Sequence, residues 1–358
     1  MTRTWPRLRI EKRTQVNPLV PVVSMVIALA AALAVSALLM LSAGANVGEA
    51  FGALFGGGFG SSKALLETLV ESTPLMLTGL AATLAFRAQI WNIGAEGQLA
   101  AGAMFSFWAA MNLAFLPGPV LFVAIVLAGF LGGALCGWIP GYLKARLHAN
   151  EIIVTVMMNY IVRYALSFML AGPWKDPSSF YLQSSMIPDR SNFPLLVPGS
   201  RLHAGFAIAL VIAVVFYLLL FRTSFGYSVR ALGLNPTAAR FKGLPIQRIV
   251  IVVMALSGGV AGLAGAGELA GLQYRLRLDI FANYGFTGII IAMLANLHPL
   301  GVIVAAIFFG GLVNGSLGMQ ITTGVPVSII YVIQAVVLLF LLAAQVISRY
   351  QVRRVEPC

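Results

Sequence analysis

The most constraining feature of this sequence is the length of its segments without a charged side chain. No Asp, Glu, Lys or Arg occurs from Ile280 to Ser348, from Thr14 to Gly48, or from Gly97 to Leu143. The first of these runs could supply about three membrane-crossing helices, because one helix needs ~20 residues to cross a bilayer. Only 9% of all residues are charged, against roughly 25% in soluble domains. The sequence therefore excludes an ordinary soluble enzyme and predicts an integral membrane protein.

Ten apolar segments are candidates for membrane-crossing helices, and they predict an all-α fold with about ten transmembrane helices. The segments are 19–43, 65–86, 90–115, 119–143, 152–171, 204–221, 249–272, 284–297, 299–317 and 326–347. Segment 284–297 would extend only about 21 Å as a helix, so we expect it to form a hairpin with the next segment. We predict a basic arm at 1–18, one transmembrane domain at 19–347 and a tail at 348–358.

The basic residues predict the orientation of these helices. With ten spans, 16 of the 23 Lys and Arg residues fall on the side that holds both termini and the loop 222–248, and six fall on the opposite side. Because Lys and Arg are retained in cytoplasmic loops, both termini and the loop 222–248 should be cytoplasmic. The net charge of +12 is then a topology signal, and we expect no nucleic-acid partner.

The largest loop on the opposite side, 172–203, contains five prolines and several aromatic residues. It is either an ordered cap outside the cytoplasm or a passive connector, and the residues favour neither.

Sequence signatures of several enzyme classes are absent. There is no phosphate-binding P-loop and no His-Glu-x-x-His pattern, and the three histidines are scattered. The two cysteines, Cys136 and Cys358, cannot form a metal site or a disulfide framework. We therefore expect no metal, no cofactor and no catalytic residue in this chain.

The loop 222–248 contains a short helix with a signal at each end. Asn235 is a favourable N-cap and Pro236 suits the first helical position. Gly243 suits the left-handed position after the helix, and Pro245 ends it. A defined two-turn helix in a loop is either a docking element or a surface helix with well-formed ends.

Two polar stripes are candidates for a solute pathway. Gln89, Asn92 and Glu96 would share one face of a helix that Gly94 and Gly97 interrupt. A buried Glu in a membrane span is costly unless it meets water or a partner, and polar groups near a helix break suit a pathway. Contacts between helices are the alternative.

The second stripe contains Thr155 and Asn159, with Glu151 near its end and free to pair with Lys144 or Arg146.

Small residues at Gly258, Gly262, Ala266 and Ala270 predict close helix packing. Glu268 is the exception in this stretch and could face a cavity or the outer edge.

Three stretches resemble one transporter family. TAARFKG (237–243) resembles the coupling-helix motif of ABC importer permeases, except that Thr237 stands where the wider motif often has Glu. FRAQIWNIGAEGQLAAGAM (86–104) and ANEIIVTVMMNYI (149–161) are similar to the nucleoside and simple-sugar branch of the ribose and branched-chain amino acid permease family. The resemblance covers about 65–342.

The resemblance implies a ten-helix ABC importer permease fold in a bacterial inner membrane. It implies three partners: an ATPase subunit that uses the ATP, a second and different permease subunit, and an extracytoplasmic substrate-binding lipoprotein. The loop helix would then dock on the ATPase. The residues assigned to this contact are Asn235, Pro236, Thr237, Ala238, Ala239, Phe241 and Gly243.

The resemblance ranks a nucleoside first and a simple sugar second as the solute. Trp91 and Tyr160 could stack on a base. The rivals are a secondary transporter that uses Glu96 or Glu268 as a proton carrier, and a scaffold or intramembrane enzyme. The secondary transporter would leave the capped loop helix without a function, and the enzyme would need a nucleophile, base or metal set.

Overall fold

A computed structural model of the protein describes residues 7–12, 19–42, 44–278 and 283–355. The α-helices are α1 (Leu19–Ser42), α2 (Val47–Phe59), α3 (Ser62–Arg87), α4 (Ala95–Asn112), α5 (Gly118–Leu147), α6 (Glu151–Ala171), α7 (Ala204–Arg222), α8 (Ser224–Leu234), α9 (Pro236–Phe241), α10 (Ile246–Gly267), α11 (Tyr284–Leu294), α12 (Pro299–Thr323) and α13 (Ile329–Arg349). The remaining elements are the strands β1 (Arg7–Lys12) and β2 (Tyr350–Val355), a 3-10 turn at Asp189–Ser191 and a π-helix at Glu268–Gln273.

Each of the ten predicted apolar segments overlaps one of these helices. Six helices of the described residues are long and apolar enough to cross a membrane, or seven if the bent pair Val26–Ser42 and Val47–Phe59 forms one span. The protein is therefore a mostly helical, multi-pass membrane protein. Ten complete crossings stay a prediction, and α2 was not among the predicted segments.

Two short strands accompany the helices, and the fold is mostly helical, which is consistent with the predicted all-α class. β1 pairs with β2 in antiparallel register, with Arg7 opposite Val355 and Lys12 opposite Tyr350. Apolar and polar residues alternate in β1, a period that favours an extended strand. The basic residues of 1–18 alone predict no strand there.

The described contacts divide the chain into two compact units. One unit comprises Met1–Leu54 and Ser316–Cys358, and within it α1 packs against α13. The other unit, Phe55–Gly315, contains all the residues of the sites considered below. This division does not test the prediction of one transmembrane domain, which stays a prediction.

Glycines bring α4, α5 and α10 into backbone contact. A Cβ atom at Gly258 would overlap the carbonyl oxygen of Gly133, and a Cβ atom at Gly262 would overlap that of Gly129. A Cβ atom at Gly102 of α4 would likewise overlap the backbone of Gly262. The prediction that this row of small residues serves helix packing is confirmed.

Glu268 begins the π-helix that continues α10, and it is buried. Its Oε2 atom has no hydrogen-bond partner among the described residues. The side chain therefore does not lie at an exposed outer edge.

The loop 172–203 is an ordered layer of the protein. Its backbone N–H groups at Ile187 and Phe193 donate to the carbonyl oxygens of Tyr274 and Ala270, each at 2.8 Å. The side chains of Ile187 and Phe193 are buried in a cluster with residues of α4, α5 and α6. The loop is therefore ordered, as the cap alternative expects, whereas its role and its location outside the cytoplasm stay predictions.

His203 ends this loop and caps α7. Its Nδ1 atom accepts a hydrogen bond from the Gly205 N–H at 3.1 Å. Burial lowers the pKa of His203 to about 4, because the charged imidazolium would lose its hydration. The imidazole is therefore neutral near pH 7 and can act as the acceptor that the cap requires.

Candidate functional site

The chain is not helical between α3 and α4, and this break replaces the predicted helical stripe. It extends over 88–94, after α3 ends at Arg87 and before α4 begins at Ala95. Gln89 has a left-handed backbone with φ of 57°. Gln89, Asn92 and Glu96 therefore do not share a helical face, and that prediction is wrong. Gly94 is the residue before α4 begins, which agrees with the prediction that this glycine interrupts the helix.

Asn92 holds the break against α10. Its Nδ2 atom donates to Gln98 Oε1 and to Ser257 Oγ, each at 2.9 Å. Its Oδ1 atom accepts from the N–H of Gly94 and from Gln98 Nε2, each at 3.0 Å. The side chain is 0% exposed. Every polar group of this amide is paired, so the helix–helix alternative describes Asn92 and the pathway prediction does not.

Asn159 of α6 ties the break to the start of α4. Its Oδ1 atom accepts from the N–H of Gly97 at 2.8 Å, and its Nδ2 atom donates to the carbonyl of Ile93 at 3.0 Å. Thr155, one turn earlier, is buried and donates to the carbonyl of Glu151 in its own helix at 2.7 Å. Asn159 therefore contacts the break and the start of α4, whereas the Thr155 hydroxyl bonds within its own helix.

Glu151 pairs with Lys144, as one of the two predicted alternatives requires. The Lys144 Nζ atom lies 2.5 Å from Glu151 Oε1.

The Glu96 carboxylate accepts two hydrogen bonds at the start of α11. Oε2 accepts from the N–H of Gly285 at 2.6 Å, and Oε1 accepts from the N–H of Asn283 at 3.2 Å. A carboxylate is favourable here because unpaired N–H groups and the helix dipole make a helix N-terminus electropositive. Glu96 thus joins α4 to α11 across 187 residues of sequence.

A cavity of about 130 Å³ opens beside Glu96. Its lining consists of residues from α4, α6 and α11 and from the segment before α11: Glu96, Gly97, Ala100, Val156, Asn159, Tyr160, Arg163, Leu278, Asn283 and Phe286. Two aromatic side chains on this lining are accessible, Tyr160 at 52% and Phe286 at 42%. The cavity is smaller than the ~300 Å³ at which sites for small molecules usually begin. A larger solute would need it to open.

The structure brings together only part of the predicted pathway set. Glu96, Asn159 and Tyr160 line the cavity, whereas Gln89 and Trp91 do not. Trp91 packs on Phe86, with ring centroids 4.7 Å apart.

Sequence reasoning missed Arg163, Asn283 and Phe286 as members of this lining. Arg163 gave the only usable signal, because it is a lone charge inside a predicted span.

The loop helix α9 has the predicted ends. The Asn235 Oδ1 atom accepts from the N–H of Ala238 at 3.0 Å, and Pro236 occupies the first turn. After the helix, Gly243 has φ of 74°, the left-handed backbone that glycine adopts most readily. The short helix and both of its capping residues are confirmed.

The exposure of α9 separates its residues into two groups. Phe241 is 88% exposed, and Pro236, Thr237 and Ala238 are exposed as well. Ala239 is only 3% exposed, and its carbonyl accepts from the N–H of Leu244. Ala239 therefore packs within this chain, and the expectation that it offers a docking surface is wrong. The exposed side chains fit that expectation.

A groove of about 860 Å³ lies next to α9, between the ends of α5, α6 and α10. Its charged lining residues are Lys144, Glu151, Arg240 and Arg248. The exposed surface around the loop helix is therefore predominantly basic.

These features define a multi-pass membrane protein with a polar cavity between helices and a capped helix in a basic loop. Residues 64–342 match the family of branched-chain amino acid transport system permease components. The chain belongs to this family of ABC transporter permeases.

The chain is similar to several other permeases of ABC transporters. It is 36% identical to the guanosine ABC transporter permease protein NupP of Bacillus subtilis, over 94% of each chain. It is 30% identical to the nucleoside ABC transporter permease protein NupB of Lactococcus lactis, over 90% of each chain. It is also 35% identical to the glucose ABC transporter permease protein TsgB13 of Haloferax volcanii, over 82% of this chain and 79% of the relative.

Proposed function

We propose that this chain is a permease subunit of an ATP-driven importer that moves a nucleoside into a bacterial cell. The observation that carries the proposal is its similarity to the guanosine permease NupP over 94% of both chains. The accessible aromatic rings of Tyr160 and Phe286 beside a polar cavity agree with it, because aromatic faces stack on nucleobases. The ATP would be hydrolysed by a separate subunit.

The solute pathway is proposed to pass the Glu96 cavity. Arg163 lies near the middle of α6 and is exposed on the surface of this chain. An arginine facing lipid at this depth would cost on the order of 2.5–3.5 kcal/mol, so such residues face water or a protein partner. The cavity beside it, with Glu96 and Asn159, therefore belongs to a face that water or a second subunit covers.

A simple sugar is the second candidate solute, because the glucose permease TsgB13 is 35% identical to this chain. Uptake of labelled guanosine and of labelled glucose by cells that express the complete system decides between them. We expect saturable guanosine uptake that stops on ATP depletion and survives collapse of the proton gradient. Glucose uptake alone would favour the sugar alternative, and loss of uptake with the proton gradient would favour the secondary transporter.

The proposed partners are an ATPase on the surface around α9, a second permease and an extracytoplasmic binding lipoprotein. The second permease would be a different chain, as the resemblance implies. Two differently tagged copies of this chain should therefore not co-purify from one complex. Their co-purification would indicate two identical permeases instead.

We also propose that both termini and the α8–α9 loop are cytoplasmic in a bacterial inner membrane. The pairing of β1 with β2 supports a common side for the two ends, and the 16 basic residues of that side support the cytoplasm. Reporter domains fused at residue 190 and at residue 240 should report the outside and the inside, respectively. The same location for both reporters would contradict the ten-span arrangement.

A further inference from the structure

Two arginines and three aromatic rings form a cluster where α3, α7, α8 and the α11–α12 turn meet. This Arg87 cluster consists of Arg87, Tyr217, Phe221, Arg230 and His298. The guanidinium carbons of Arg87 and Arg230 lie 5.6 and 5.3 Å from the centroid of the Phe221 ring. The His298 ring stacks on Phe221 with centroids 5.5 Å apart and planes 29° apart. Phe221 is thus the centre of the cluster.

Arg87 also holds the turn between α11 and α12. Its Nε atom donates to the carbonyl of Leu297 at 2.8 Å, and its Nη2 atom donates to the carbonyl of Asn296 at 3.4 Å. Asn296 and Leu297 have φ of 54° and 56°, a left-handed backbone that residues with side chains seldom adopt. The guanidinium therefore fixes a turn that is unfavourable without support.

The same arginine contacts the element that carries the coupling helix. α8 supplies Arg230 to the cluster, and a Cβ atom at Gly233 would overlap the carbonyl oxygen of Arg87. One residue beyond α8, Asn235 caps α9. A displacement of α9 must therefore act on the end of α3 through backbone contact and through the Phe221 ring.

The helix α11 is held at both of its ends by residues that flank the break. Glu96 binds its first N–H groups, and Arg87 binds the carbonyl groups of the turn that follows it. Arg87 immediately precedes the break, and Glu96 closely follows it. The break and α11 are therefore linked at two points, one at the Glu96 cavity and one at the Arg87 cluster.

We propose that Arg87 is a positioning residue that transmits movement of the coupling helix α9 to α11 and so to the Glu96 cavity. This inference rests on the proposed function of the chain. Its physical basis is a continuous series of contacts from α9 through α8, Phe221 and Arg87 to the α11–α12 turn. Among the described residues, neither Arg87 nor Arg230 forms a salt bridge, so Arg87 acts through its two hydrogen bonds and its contact with the Phe221 ring.

Arg87→Lys separates geometry from charge. Lysine keeps the positive charge but lacks the planar group that lies over the Phe221 ring while it donates to two carbonyl groups. In the purified complex with its ATPase, reconstituted in vesicles, we expect the number of solute molecules moved per ATP to fall about tenfold. Arg222→Lys is the matched control, because Arg222 is exposed and adjacent to Phe221. Its ratio should equal that of the unmodified complex.

Phe221 provides a second, independent pair of variants. Phe221→Leu removes the ring and should lower the transport-to-hydrolysis ratio as Arg87→Lys does, whereas Phe221→Tyr keeps the ring and should retain it. In the double variant Arg87→Lys with Phe221→Leu, the ratio should fall no further than in either single variant. A role in stability alone would reduce the amount of complex and leave its ratio unchanged.

The outcomes are distinguishable. An unchanged ratio of transport to ATP hydrolysis in Arg87→Lys overturns the inference. It is also overturned if the fold-loss of this ratio in the double variant equals the product of the fold-losses in the two single variants. If Arg87→Lys does not assemble, equal ratios in Phe221→Leu and Phe221→Tyr overturn it. If no ATPase co-purifies with the unmodified chain, the proposed function fails first and the inference fails with it.

Discussion

Replacing Phe241 with Glu should lower solute uptake about 100-fold, the loss expected when a central aromatic anchor of a protein interface is removed. Phe241 is 88% exposed at the end of a helix of six residues. A helix of this length is marginal on its own, because helix nucleation is unfavourable. Its caps and the packing of Ala239 hold the backbone in place, but they leave the largest apolar side chain in solvent. A partner surface that receives Phe241 explains this arrangement.

The variant should reach the membrane in normal amounts, because an exposed side chain contributes little to the stability of its own chain. The measurements are uptake by cells and the amount of ATPase that co-purifies with the tagged permease. Phe241→Tyr is the conservative control and should keep most of the uptake. Normal uptake and normal co-purification in Phe241→Glu would show that α9 is not the coupling helix.

Gly243 allows a matched test of the backbone after this helix. Its φ of 74° is strained for most residues, although a Cβ atom there would meet no atom within 4 Å. Asn adopts this conformation more readily than a β-branched residue does. Gly243→Asn should therefore keep uptake, whereas Gly243→Val should reduce it, as Phe241→Glu does. Equal uptake in the Asn and Val variants would show that coupling does not require the left-handed backbone at Gly243.

The sequence predicted the features that depend on local signals. Apolar length located a helix in each of the ten segments, and turn chemistry located α9 with Asn235 and Gly243 at its ends. The spacing of Gly258 and Gly262 predicted a packing face correctly, because small residues serve that purpose in membrane helices.

The sequence could not predict features that depend on distant contacts. The break at 88–94 extends into the predicted apolar segment 90–115, where α4 begins only at Ala95. Within it, Asn92 is held by Ser257, which is 165 residues away. A helical period continued through the break places Asn92 on the pathway, whereas in the structure its amide is fully paired. The burial of Ala239 also depends on tertiary contacts, because the sequence of α9 alone does not show which side of the helix faces the rest of the protein.

The cavity residues also divide into those with a local sequence signal and those placed by distant contacts. Glu96 and Asn159 were found because polar groups in an apolar span are conspicuous. Phe286 was missed because an aromatic residue in a short apolar helix is ordinary, and only the contact of Gly285 with Glu96 places it at the cavity.

Glu96 offers the prediction that best separates the importer from a proton-coupled transporter. In the structure its carboxylate accepts from the N–H groups of Asn283 and Gly285 at the start of α11, and the Gly285 donor is buried. Replacing Glu96 with Leu leaves that donor unpaired, at a cost of about 1–3 kcal/mol, and removes a charge from a helix N-terminus. Since 1.4 kcal/mol is tenfold, we expect uptake to fall by up to about 100-fold.

Glu96→Gln distinguishes the two mechanisms. The carbonyl oxygen of Gln can still accept from Gly285, so an acceptor role predicts uptake between that of the unmodified protein and that of Glu96→Leu. A proton carrier must ionise, so that role predicts equal losses for Gln and Leu. Glu49→Leu is the control, because Glu49 is an exposed glutamate in the first turn of α2 and should be replaceable. Equal losses of uptake in the Gln and Leu variants, together with uptake that depends on the proton gradient, would overturn both the acceptor role and the importer proposal. Intermediate uptake in the Gln variant, with normal assembly of the complex, would support both.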